Sequence, residues 1–195
     1  MMAENKVRFF GAELRAAEDG EMAVEGYALK FDKETFIGPK TWGWNESISR
    51  TALDGAKLED VVFNYNHSMD SILARTINRS LQLIVDSIGL RVTANIIDTA
   101  AGRDVFKMIK EGLISRMSFA AEIKKSEWTI TEDDSDTPDS RIITEFGRFY
   151  DVSAVPFPAY EDTAIMARNE EFTARQRQLY ETQIHKLNKI IGGMK

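Results

Sequence analysis

Three side chains far apart in this chain have types that chemistry can use: Ser118 in SRMSFAAEI, His67 in FNYNHSMD and Asp151 in FYDVSAV. A serine hydroxyl is a poor nucleophile until a neighbouring base takes its proton. A neutral imidazole is suited to that task near pH 7. A carboxylate on the far ring nitrogen can fix the tautomer and stabilise the imidazolium. Taken singly, each residue also has a plainer account. Ser118 reads as a serine on the outer face of a strand, His67 as a solvated loop histidine, and Asp151 as a surface carboxylate within an apolar strand. A metal reading of His67 finds one close oxygen ligand, Asp70, where a site needs three or four.

The elements that must position these groups are mostly strands. Met117, Phe119, Ala121 and Ile123 alternate with Ser118, Ala120 and Glu122, so the first set faces a core and Ser118 faces away. Tyr150, Val152 and Ala154 are expected in the core, with Asp151 and Ser153 on the opposite face. Ser118 and Asp151, both pointing away from the core on consecutive strands, can then neighbour each other across a pair.

Residues 6–31 read as two strands around a turn at 17–20, and further strands are expected at 61–65, 72–77, 80–85, 90–97, 114–130 and 141–155. Asp86-Ser87-Ile88-Gly89 forms a hairpin turn. Residues 48–56 suit a short helix, because Ile48, Ala52 and Leu53 share a face. Residues 99–111 switch to helical spacing, with Ala101, Val105, Met108 and Ile109 as the stripe, Thr99 or Asp98 as the cap and Gly112 as the stop. Residues 131–140 read as an acidic loop. From about Asn169 a terminal amphipathic helix carries Phe172, Leu179, Tyr180, Ile184, Leu187 and Ile191, with His185 on its surface. The fold class is mainly β with helices (α+β): a small closed or partly closed antiparallel β-barrel with peripheral helices plus this C-terminal helix.

Composition narrows the chemistry. The 195 residues hold 25 Lys+Arg against 31 Asp+Glu, a net charge of −6, and 43% are hydrophobic, enough for a core. An acidic chain works against phosphate repulsion, so nucleic acid is not an expected partner. With no Cys, disulfides, thiolate metal sites and cysteine nucleophiles are absent. No metal and no cofactor is expected. No apolar run is long enough for a membrane span or signal peptide, so a soluble intracellular product is expected.

The ordered pieces resemble a known family. Asn66-His67, then Gly112-Leu113-Ile114 with Met117-Ser118-Phe119, then Asp151-Val152-Ser153 followed by Pro158-Ala159, are similar to the prohead maturation proteases of tailed bacteriophages and, more distantly, to the herpesvirus assemblins. The likeness spans about Gly26 to Ala164. It implies a Ser-His-acid endopeptidase with Ser118 as nucleophile, His67 as general base and Asp151 as the group that orients His67. Asp151 stands where the family usually has Glu, Ser68 where an acidic residue often follows the His, Ala120 where Gly is frequent, and Tyr160-Glu161 where Asn-Pro is common.

The resemblance further implies partners and a place. The partners are the major capsid protein with its scaffolding segment, or a separate scaffold protein. The place is the host cytoplasm, inside the assembling procapsid, with no membrane partner. Residues 1–166 would be the protease domain. Residues 167–195 would be a tail for oligomerisation, for capsid or scaffold docking, or for removal by autoproteolysis; a homo-oligomer is expected. The competing readings are a non-catalytic capsid assembly protein on the same fold, and a β-barrel whose Trp42-Gly43-Trp44 loop binds something else or covers a barrel end.

Overall fold

A computed structural model describes residues 7–16, 22–39, 43–131 and 137–156, the first segment as backbone only. In chain order these form β1 (Val7–Ala16), β2 (Ala23–Lys30), β3 (Thr35–Ile37), β4 (Trp44–Ile48), β5 (Val62–Tyr65), β6 (Ile72–Arg75), β7 (Leu81–Val85), β8 (Gly89–Asn95), α1 (Ala100–Lys110), β9 (Arg116–Thr129) and β10 (Asp139–Val155). The expected turn at 17–20, Trp42, residues 132–136 of the acidic loop, the Pro158-Ala159 piece and the whole of the 167–195 tail lie outside the described residues.

Local chemistry explains the better-defined pieces. In β8, Leu90, Val92 and Ala94 are buried while Arg91 and Asn95 are exposed, the period-2 pattern of a sheet with one wet face. The β7–β8 turn is tied by Asp86, whose carboxylate accepts from the Ile88 and Gly89 amides at 2.8 and 3.1 Å. Thr99 caps α1 by accepting from the Gly102 amide at 3.0 Å. Gly112, at φ 74°, follows the helix end. Val105 and Ile109 face the core as the spacing predicts, but Ala101 is exposed and Gly102 takes the inner position, where a Cβ would collide with the Ile97 carbonyl.

Residues 48–56 are not a helix. Ile48 ends β4, and the Ala52, Asp54 and Ala56 amides donate three residues back, to Ser49, Thr51 and Leu53. The apolar spacing came from successive turns that bury Ala52 and Leu53, a pattern that mimics one helical face.

β10 organises the sheet. It pairs antiparallel with β9 along almost its whole length, while on its other side Asp139–Ile143 run parallel to β4 and Asp151–Ala154 run parallel to β5. The strand order is β3-β4-β10-β9-β1-β2-β8-β7, with β5 branching from β10 and carrying β6. This corrects the expected closed or partly closed antiparallel barrel: among the described residues the path is open, ends at β3, β7 and β6, and contains two parallel ladders. The physical reason is length. A 17-residue strand outruns both neighbours on one side, so two different strands share that edge and the sheet branches. The likeness to assemblins at the level of a barrel has no support here.

The core lies on one face of β9 and β10. Phe119, Phe146 and Phe149 are fully buried, with ring centroids 5.3–5.7 Å apart. Each such ring contributes about 1.5–3 kcal/mol by leaving water, and the tilted and edge-on contacts add to that.

Candidate active site

An unbroken strand would put Phe149 and Asp151 on the same face. A register irregularity prevents this: Phe149 faces Ala121 across the pair, whereas Asp151 faces the very next residue back, Ala120. Tyr150 is the extra residue. Such a bulge re-aims the side chains beyond it. Phe149 therefore enters the core while Asp151 emerges on the opposite face with Ser153 and Ser118. The expectation that Tyr150 is a core residue is corrected for the same reason: it is half-buried, with the Arg148 guanidinium 5.6 Å from its ring.

Ser118 lies directly opposite Ser153 across the β9–β10 pair, and Asp151 is two residues along the same strand. Beyond β10, Asn64 of β5 pairs with Ser153, so the row Ser118–Ser153–Asn64 crosses three strands on one face. All of these residues are buried. Ser118 is thus on the face opposite the core, as expected, but it is enclosed rather than solvated.

His67 reaches this face from the turn after β5. Asn66 and His67 have φ of 53° and 56°, two consecutive residues with a Cβ in the left-handed region. That conformation costs roughly 1–2 kcal/mol per residue, and the surroundings must hold it. The Asn66 amide donates to the Ala154 carbonyl at 3.0 Å, and the His67 amide donates to Ser153 Oγ at 2.9 Å. The Ser68 amide closes the turn onto Tyr65 at 3.1 Å.

The imidazole bridges the other two groups. His67 Nδ1 lies 2.7 Å from Asp151 Oδ1, and Nε2 lies 2.8 Å from Ser118 Oγ. An ionised carboxylate only accepts, so Nδ1 carries the proton and Nε2 is left as the acceptor facing the hydroxyl. The His67 side chain is 14% exposed and Asp151 3%, so the interactions run in a water-poor setting. All three sequence-derived site residues are brought together. Ser153, to which the sequence reading gave no role, is the additional member. Its signal was available: it shares a face with Asp151 at the i+2 position.

Other candidates are not drawn in. Arg148 pairs with Asp60 at 3.6 Å, and Arg116 is exposed at the start of β9. Trp44 is buried against Trp128 at 5.6 Å, which makes it an interior ring. Asp70 is exposed, and among the described residues no three His, Cys, Asp or Glu side chains are grouped as a metal site would need. Among the same residues no helix is long and apolar enough to cross a membrane.

No curated protein and no solved structure matches the chain. The family model for caudovirus prohead serine proteases does, over residues 11–178. That span covers most of the sequence and includes all three bridged side chains, and on it rests the conclusion that the chain belongs to the caudovirus prohead serine protease family.

Proposed function

We propose that this chain is a serine endopeptidase of capsid maturation. It cleaves scaffold protein, or the scaffolding segment of the major capsid protein, and then itself, inside the procapsid in the host cytoplasm. Family membership supports the maturation role. The observation that carries the chemistry is the hydroxyl–imidazole–carboxylate line, with 2.8 Å and 2.7 Å links.

In this reading Ser118 Oγ attacks the scissile carbonyl as its proton passes to His67 Nε2. Asp151 stabilises the imidazolium through Nδ1–H without itself taking the proton. The imidazolium then protonates the leaving amine, and the acyl group remains on Ser118. A water, deprotonated by the same Nε2, releases the acyl group and restores the hydroxyl.

Residues 1–166 form the catalytic unit in this proposal, and residues 167–195 serve as the oligomerisation or docking tail, or as a segment the enzyme removes. A chain truncated near Ala167 that sediments like the full chain would dismiss tail-driven assembly.

The decisive test uses the chain co-expressed with its capsid protein, because Ser118 is enclosed. A fluorophosphonate is expected to label Ser118, and Ser118→Ala is expected to remove both labelling and terminal trimming seen by mass spectrometry. Normal trimming in Ser118→Ala would overturn the proposal. Unchanged mass in the parent chain, with normal incorporation into capsids, would favour a non-catalytic assembly protein.

A further inference from the structure

The proposed base sits on a backbone that needs holding. Asn66 and His67 are both left-handed, and two bonds to β10 fix them. The first, from the Asn66 amide to the Ala154 carbonyl, is a main-chain bond that any residue at 154 would supply. The second, from the His67 amide, ends on a side chain: Ser153 Oγ at 2.9 Å. That hydroxyl can use its own proton toward the Asn64 carbonyl at 3.3 Å, which leaves a lone pair for the His67 amide. Ser153 is fully buried and sits two residues from Asp151 on the same strand.

We propose that Ser153 is a positioning residue for the general base. The bulged end of β10 grips His67 twice, Asp151 by the ring and Ser153 by the backbone. The two grips share one rigid strand, so the Nε2–Ser118 distance is set by sheet geometry rather than by a loop. Reaction by proton transfer is sensitive to this distance, and a misplacement of about 1 Å can cost roughly 100-fold. Being buried, Ser153 acts through His67, so its loss affects the chemical step and not probe affinity. This inference rests on His67 being the base.

The test compares Ser153→Thr with Ser153→Val, which are alike in shape and differ in the hydroxyl. The concentration dependence of fluorophosphonate labelling, again with capsid protein present, separates the maximal acylation rate from the affinity for the probe. The expected result is that the Val variant acylates roughly 10–100-fold more slowly than the Thr variant, at similar probe affinity. Equal rates for Thr and Val overturn the inference. If neither folds, Ser153→Ala is the smallest change; a folded Ala variant with the unaltered chain's rate also overturns it. In the unaltered chain the His67 amide must exchange slowly with solvent, and exchange at the rate of a free peptide sinks the clamp without any substitution. His67→Ala separates the role of the base from that of Ser153. Full labelling there removes the underlying reading, whereas lost labelling together with equal Thr and Val rates removes the role of Ser153 alone.

Discussion

The two ends of β10 both bury polar side chains beside a parallel strand, yet they differ in kind. Near its start, Arg141 meets Glu46 of β4 at 3.3 Å, with both side chains essentially out of water. The guanidinium also lies 5.3 Å from the Trp128 ring, and the Trp44 indole N–H donates to Glu46 at 3.4 Å. Near its finish, Asp151 meets His67, which meets Ser118. In the first region a guanidinium is held against a carboxyl group, and guanidinium does not give up its proton. In the second an imidazole stands between a hydroxyl and a carboxyl group, partly open to solvent, on a turn in a costly conformation. Burial of charge is therefore no guide to function. What separates the regions, in the proposed mechanism, is whether a proton has somewhere to go.

That contrast can be broken first at the reactive end. Ser118→Ala or His67→Ala is expected to lower scaffold cleavage by about 10⁶-fold, near 8 kcal/mol of transition-state stabilisation, while the thermal midpoint moves little. Next, Asp151→Asn should keep the geometry but favour the wrong tautomer, with a loss of roughly 10⁴-fold in kcat.

At the other end, Arg141→Met alone leaves Glu46 without its guanidinium and should cost about 3–5 kcal/mol in urea unfolding, with cleavage per folded molecule unchanged. Adding Glu46→Leu should return most of that stability, since a buried ion pair replaced by packed apolar groups is often neutral. No second substitution of that kind should rescue Asp151→Asn. Double-variant recovery is thus the sharpest measure of the difference between the regions. The smallest effect lies outside both: Thr99→Ala should cost about 1 kcal/mol through the lost helix cap, and activity should not change.

Much of the molecule was legible from residue order alone. Alternation in 117–123 placed Ser118 opposite the core side chains, and Thr99 and Gly112 marked the helix ends because capping is local chemistry. Tyr150 was misplaced because period-2 counting assumes an unbroken ladder, and a bulge is a property of two strands together. The parallel pairing of β10 with β4 and β5 was hidden for a related reason. Register between segments about 90 residues apart is set by the shared core, not by either segment. Ser118 and Asp151 were expected as cross-strand neighbours, and they turned out to be diagonal, with Ser153 taking the direct place.

The position of β10 also governs when the Ser118–His67–Asp151 line can form. It is the most C-terminal strand among the described residues, yet it sits inside the sheet, touching β4, β5 and β9. A growing polypeptide that has emerged only as far as β9 already holds Ser118 and His67, but not the strand that joins β5 to β9. The ladder that does so closes over long sequence separations, which is the slow kind of folding event. A polypeptide released before β10 lacks Asp151 and Ser153 altogether, so the Ser118–His67–Asp151 line cannot be completed in it.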